Sequence, residues 1–187
     1  RTTTRWKSEG HLRDLIADHK KHKWAIAGVS ELGALGDEIK PLRAELAKHG
    51  LGIKATDARE GEGNLNKAGA AIIYDQNQVE WVSGSTNIVL VHRIIKGELR
   101  FKLDQSTVEC IAGYMPVSGT AEEATKEAWD KMIAAVGPNT VIMMDGNADP
   151  TTDKRRGDKH LRRLLDTGME DLNERQVTYR DESCIDY

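Results

Sequence analysis

Between residues 8 and 23 the chain places Leu12, Leu15, Ile16 and His19 three and four residues apart, with charges between them. That spacing predicts an amphipathic helix. The next stretch, 24–31, is almost uncharged, has the length of a strand and stops at Glu31, so a buried strand with a carboxylate at its tip is expected. Ile39, Leu42 and Leu46, followed by Gly50, predict a second helix in which Pro41 is tolerable only in the first turn. Residues 58–67 are rich in Gly, Glu and Asn without an apolar period, which predicts an exposed loop. Five short apolar runs come next, at 68–74, 79–82, 88–95, 99–103 and 108–114, with turn residues such as Lys96-Gly97 between them. They predict a strand-rich middle arranged as a meander. Residues 121–136 carry Trp129, Met132 and Ile133 on one helical side, and 140–144 is another buried strand. A helix should close over 162–167 near Gly168, and strands near 177–179 and 184–187 complete the pattern.

The consecutive strands from 68 to 114 contain no helix-length crossover, which disfavours a doubly wound parallel sheet. The expected class is α/β in the α+β sense: two sheets packed face to face with helices outside, four layers in all. With 187 residues, 39% apolar positions and no composition break, one domain over 1–187 is expected. No stretch approaches the roughly 18 uncharged apolar residues of a membrane helix, and no signal-peptide run comes after Arg1. An intracellular protein without a membrane partner is the expectation. Cys110 and Cys184 are far apart without metal-type spacing and read as reduced thiols.

The net charge of −3 excludes a globally basic polyanion binder, so any such site must be local. Residues 19–23 (His-Lys-Lys-His-Lys) read as a solvated helix face. The segment 154–163 holds Arg155, Arg156, Lys159, Arg162 and Arg163 and is open to two readings, a solvated face or a phosphate-contacting edge. His160, within it, reads as a helix-surface residue.

Four short segments bring polar residues to the place where an apolar run stops: Val29-Ser30-Glu31, Tyr114-Met115-Pro116, Met144-Asp145-Gly146-Asn147 and Ser183-Cys184-Ile185-Asp186-Tyr187. Singly, each also reads as a cap, a proline stop or an ordinary turn. In this order and combination they resemble the signature of the endonuclease/exonuclease/phosphatase superfamily, to which apurinic-site endonucleases, DNase I-like nucleases and the endonuclease domains of non-long-terminal-repeat retrotransposons belong. Gln176-Val177-Thr178-Tyr179 is similar to the segment that precedes the family's last motif, and Arg1-Thr2-Thr3 is similar to the residues just after its first strand. Gly146 stands where the family has an aromatic residue, and Met144 where it has a glycine. The family's strand-one Asn and closing Ser-Asp-His would fall before Arg1 and after Tyr187, so the resemblance implies a chain short of its first and last catalytic strands.

The resemblance implies a Mg2+- or Mn2+-dependent phosphodiester hydrolase, most like an endonuclease on DNA or RNA. Glu31 is then the metal ligand, a hard oxygen donor suited to magnesium. Asp145 orients or deprotonates the attacking water, Asn147 and Tyr114 donate to the phosphate, and Asp186 orients the family's histidine. Arg155, Arg156, Lys159, Arg162 and Arg163 would flank the substrate. The alternative expectation is a catalytically silent member serving in a nucleoprotein assembly, with a larger polypeptide supplying the ends.

Overall fold

The structure is a computed structural model that describes residues 9–58, 68–117, 119–170 and 172. In chain order its elements are α1 (Glu9–His22), β1 (Ile26–Ser30), α2 (Gly36–Ala47), β2 (Leu51–Ala55), β3 (Ala70–Asp75), β4 (Val79–Trp81), β5 (Asn87–Leu90), β6 (Ile94–Phe101), β7 (Thr107–Tyr114), α3 (Glu122–Ala135), β8 (Thr140–Asp145) and α4 (Asp158–Leu165). Of the loop expected at 58–67, Ala58 is buried and the rest lies outside the described residues, as do the strands expected after residue 172.

Strand alternation sorts the apolar side chains into three layers of core. On β3, Ala71 and Ile73 join Val29, Leu51 and Ile53 beneath Ile16 of α1 and Ile39, Leu42 and Leu46 of α2. The opposite parity, Ala70, Ile72 and Tyr74, meets Ile95, Leu99, Cys110 and Ala112 of the second sheet. On that sheet's far side, Ile94, Ile111 and Met144 pack against Ala128, Trp129 and Met132 of α3 and Leu161 and Leu164 of α4. The result is helix, sheet, sheet, helix, as the strand-rich middle predicts.

The first sheet has the order β1-β3-β2, all antiparallel. The second has the order β4-β6-β7-β8, with β5 also on β6, and its β7/β8 pair is parallel because α3 carries the chain back between them. The strands after residue 68 are therefore not one meander. The chain leaves the first sheet after β3 and enters the second at β4, and β4 and β5 share the same long strand, β6, at Leu99–Phe101 and at Ile94–Lys96.

Several boundaries differ from the sequence expectation for identifiable reasons. The run 88–95 is two strands, broken at Val91-His92-Arg93, where His92 takes a φ of 65°. Lys96-Gly97 is not a turn but lies inside β6, because Gly97 makes room for an aromatic ring: a Cβ there would stand 1.9 Å from Cζ2 of Trp81. Leu51–Ala55 is a buried strand that the pattern, interrupted by Gly52 and Lys54, does not announce. Pro41 sits in the second turn of α2, not the first, on an exposed face of the helix, where it has no N–H to give to Asp37. In the segment 19–23, His19 is not solvated. Its Nε2 lies 3.1 Å from Asp75 Oδ2, and both side chains are buried. His160 is likewise buried, stacked on Trp129 with ring centroids 6.4 Å apart. Burial first, then the charges of Lys159 and Arg163, holds its imidazole below the usual histidine range.

Candidate active site

Three strand ends meet at one rim of the sandwich. β1 belongs to the first sheet and ends at Ser30-Glu31, while β7 and β8 of the second sheet end at Tyr114 and Asp145, which face each other in register. The hydroxyl of Ser30 spans the gap between sheets, donating to the Gly113 carbonyl at 2.7 Å and accepting from the Asp145 N–H at 3.0 Å. Beside it, the Tyr114 phenol donates to Glu31 Oε1 at 2.6 Å, a contact between residues 83 positions apart.

Beyond Asp145 the chain turns at once. Asp145 Oδ1 accepts the Asn147 N–H at 2.9 Å, an Asx turn, and the Asn147 side-chain amide donates to the Met115 carbonyl at 2.9 Å. Asn147 and Glu31 both adopt left-handed backbone, with φ of 47° and 52°. For a Glu this conformation costs on the order of 1–2 kcal/mol, and such strain collects at functional sites when the surroundings over-determine it. Here the constraint on Glu31 is visible: Leu32 N–H and Gly33 N–H, directly after it, bond the carbonyls of Gly69 and Ala68 at 3.0 Å each.

The electrostatics of the rim centre on Tyr114. Burial first, then the hydrogen bond to Glu31 and the negative charges of Glu31 and Asp145, pushes its phenol far above the ordinary tyrosine value, against a smaller opposing effect of Arg93. The phenol therefore stays a hydrogen-bond donor throughout the physiological range. Arg93 lies 5.6 Å from the centroid of the Tyr114 ring, and its Nη1 donates to the Tyr114 carbonyl at 3.1 Å. Sequence reasoning missed this arginine, which reaches the rim only because β6 begins beside the end of β7.

Glu31, Tyr114, Asp145 and Asn147 are thus brought together. Asp186 lies outside the described residues. The basic segment follows the loop after Asn147. That loop is tied around the buried Asp158, whose Oδ1 accepts Asp149 N–H at 2.8 Å and whose Oδ2 accepts Thr152 Oγ1 at 2.5 Å and Arg155 N–H at 2.9 Å. Arg156 donates to the Thr120 carbonyl, Lys159 pairs with Glu122 at 3.6 Å, and Arg163 pairs with Asp130 at 3.1 Å. Arg162 bonds the carbonyl of Thr152 at 2.7 Å and pairs with Asp153. These partners fasten α4 to α3 and to its own loop.

Whether a metal fits depends on the donor chemistry. Among the described residues no three His, Cys, Asp or Glu side chains gather into a ready cage. Among the described residues the strand ends of the rim offer the oxygens of two carboxylates, an amide and a phenol. That set suits a hard ion such as magnesium, which keeps most of its waters and takes one or two protein carboxylates.

No protein-family model and no curated protein matches the sequence. Solved structures do. An endonuclease/exonuclease/phosphatase family protein from Bacteroides thetaiotaomicron superposes with a TM-score of 0.59 at 14% identity, over 84% of this chain and 58% of its own. The endonuclease domain of TRAS1, a telomere-specific non-LTR retrotransposon, gives 0.60 at 18% identity, over 94% of this chain and 76% of its own. A mannosyl-6-phosphatase, also from Bacteroides thetaiotaomicron, gives 0.58 at 16% identity, over 94% and 74%. The chain spans less than two thirds of the length of the first of these and about three quarters of the other two. Four layers in the order helix, sheet, sheet, helix agree with all three likenesses: the chain has a DNase I-like fold.

Proposed function

We propose that this protein is a divalent-metal-dependent phosphodiester hydrolase acting on nucleic acid. The observation that carries the reading is the Tyr114–Glu31 hydrogen bond of 2.6 Å beside Asp145 and Asn147, because it joins motifs from three separated parts of the chain at one rim. A fold alone would leave the activity open.

The residues divide the work of hydrolysis among them. Glu31 would hold Mg2+ or Mn2+, which would supply charge neutralisation at the phosphate. Asp145, its carboxylate steadied by the Asn147 N–H, accepts the proton of an attacking water. The second N–H of the Asn147 amide supplies a donor to the non-bridging oxygens, and Tyr114, kept protonated, does so by turning its one hydrogen from Glu31 to the phosphate. Asp186, outside the described residues, orients a histidine as the resemblance implies. Arg155, Arg156, Lys159, Arg162 and Arg163 contact the backbone of a long substrate. The ion pairs that Lys159, Arg162 and Arg163 now make are largely exposed and worth at most about 1 kcal/mol each, so a phosphate can displace them. The nucleic acid is favoured by the likeness to the TRAS1 domain over 94% of this chain.

A second reading rests on the same cations. If their pairing within the domain persists, the site serves a small phosphoester, as the name of the similar mannosyl-6-phosphatase describes for that protein. The test is cleavage of end-labelled single- and double-stranded DNA and RNA, and of a small sugar phosphate, by the full chain with and without Mg2+, alongside Glu31→Gln. Mg2+-dependent strand cleavage lost in Glu31→Gln supports the first reading. Turnover of the sugar phosphate alone supports the second, and cleavage unchanged in Glu31→Gln removes Glu31 from the site.

A further inference from the structure

We infer that Ser30 is a positioning residue for this rim, the hydroxyl that sets the mutual geometry of Glu31, Tyr114 and Asp145. The inference rests on the hydrolase reading above and adds to it a residue that touches neither substrate nor metal.

In a parallel pair the backbone bonds are evenly spaced and slanted, so a residue of one strand bonds the residues before and after its neighbour on the other. Asp145 stands opposite Tyr114, and its carbonyl accepts the Met115 N–H at 2.9 Å. Its N–H and the Gly113 carbonyl are therefore the two groups of the next rung inward between β7 and β8. Ser30 Oγ is bonded to both of them, at 3.0 and 2.7 Å.

One hydroxyl thus fastens three strand ends from two sheets. Each end carries a site residue within one position of the fastened group: Glu31 comes directly after Ser30, Tyr114 directly after Gly113, and Asp145 is held by its own N–H. The hydroxyl uses its single hydrogen on Gly113 and one of its two lone pairs on Asp145, so its donor and one acceptor position serve the two second-sheet strands. Ser30→Ala would leave two backbone groups of a half-buried rung without this partner. A shift of about 1 Å between catalytic groups can cost about 100-fold in rate, so the loss should appear in turnover more than in binding.

The experiment compares the full chain with Ser30→Ala, Ser30→Thr and Ser30→Cys. Steady-state cleavage with saturating Mg2+ gives kcat and KM, and NMR hydrogen exchange tracks the Asp145 amide. Expected is a kcat reduced about 10- to 100-fold in Ser30→Ala with KM within about threefold, and at least about tenfold faster exchange at Asp145. Ser30→Thr, which keeps the hydroxyl, should recover most of both. Ser30→Cys keeps the shape with a weak donor and acceptor and should resemble Ser30→Ala, which keeps the test open if Ser30→Ala does not fold. A kcat within about twofold of wild type in the variants lacking the hydroxyl, or a Ser30→Thr chain as impaired as Ser30→Ala, would overturn the inference. If the wild-type chain cleaves nothing, the hydrolase reading fails by itself. Asp145 exchange then decides the positioning role: unchanged exchange in Ser30→Ala and Ser30→Cys overturns it.

Discussion

Gly28 lies on β1, two residues before Ser30, on the strand face that meets the second sheet. A Cβ built there would stand 2.3 Å from the Cβ of Met143 on β8 and 3.1 Å from its carbonyl oxygen. Ordinary contacts begin near 3.4 Å, so Gly28→Ala must push β1 and β8 apart by about 1 Å. β1 is a sheet edge and has room to give, so the stability cost should fall at about 1–3 kcal/mol, the usual range for an overpacked site. The same displacement acts on the Ser30–Asp145 bond, already 3.0 Å long, and should break it. Cleavage by the folded variant should then fall about 100-fold, well beyond what its stability loss explains. Urea unfolding and Mg2+-dependent cleavage of the full chain measure the two effects separately. Gly10, in α1 with nothing within 4 Å of its built Cβ, is the control: Gly10→Ala should stabilise by about 0.5–1 kcal/mol and leave cleavage unchanged. Because the clash is between Cβ atoms, Met143→Ala should not relieve Gly28→Ala, whereas Met143→Gly should. Wild-type stability and rate in Gly28→Ala would refute the idea that sheet spacing sets the rim.

Two further outcomes concern titratable groups away from the rim. Cys110 is fully buried between the sheets, and burial pushes its thiol up to about 12, so in a Cys184→Ser background a disulfide reagent at pH 8 should label it only on unfolding. Rapid labelling of the native chain would contradict the packing described. Burial would raise the Asp75 carboxyl, but hydrogen bonds from Gln78, Asn77 and His19 outweigh it and hold the group below the usual range. A lowered carboxylate contributes stability that is present above the unfolded value near pH 3.9 and is lost as pH falls through the folded one. Asp75→Asn should therefore destabilise the chain most at neutral pH and converge on wild type below about pH 3.9, read from urea midpoints across pH; a constant difference would show that Asp75 acts through shape alone.

The features that the sequence disclosed and those that it hid divide along a physical line. The helices at 9–22 and 122–135 and the strands ending at Ser30, Tyr114 and Asp145 were legible because period and run length are local signals, and Glu31, Tyr114, Asp145 and Asn147 stood out because each sits where such a run stops. Features that depend on a neighbour in space left no local trace. Gly97 looks like a turn residue until Trp81 lies across it, and Lys96 beside it strengthens the false signal. His160 looks like part of a charged helix face until Trp129 stacks on it, and the segment's arginines, facing the carbonyls and carboxylates that fasten α4, conceal that burial. Leu51–Ala55 escaped because Gly52 and Lys54 interrupt its run, although burial on the edge of the first sheet decides its state. Ser30 belongs to the same group. A serine before a glutamate at a strand end reads as a cap, and only the approach of residues 113 and 145 turns its hydroxyl into a bridge. Chemistry-bearing groups must project at loop-accessible strand ends and so mark themselves in sequence. The groups that fix their spacing act across the gap between sheets, where the pairing of distant positions, not the residue type, carries the information.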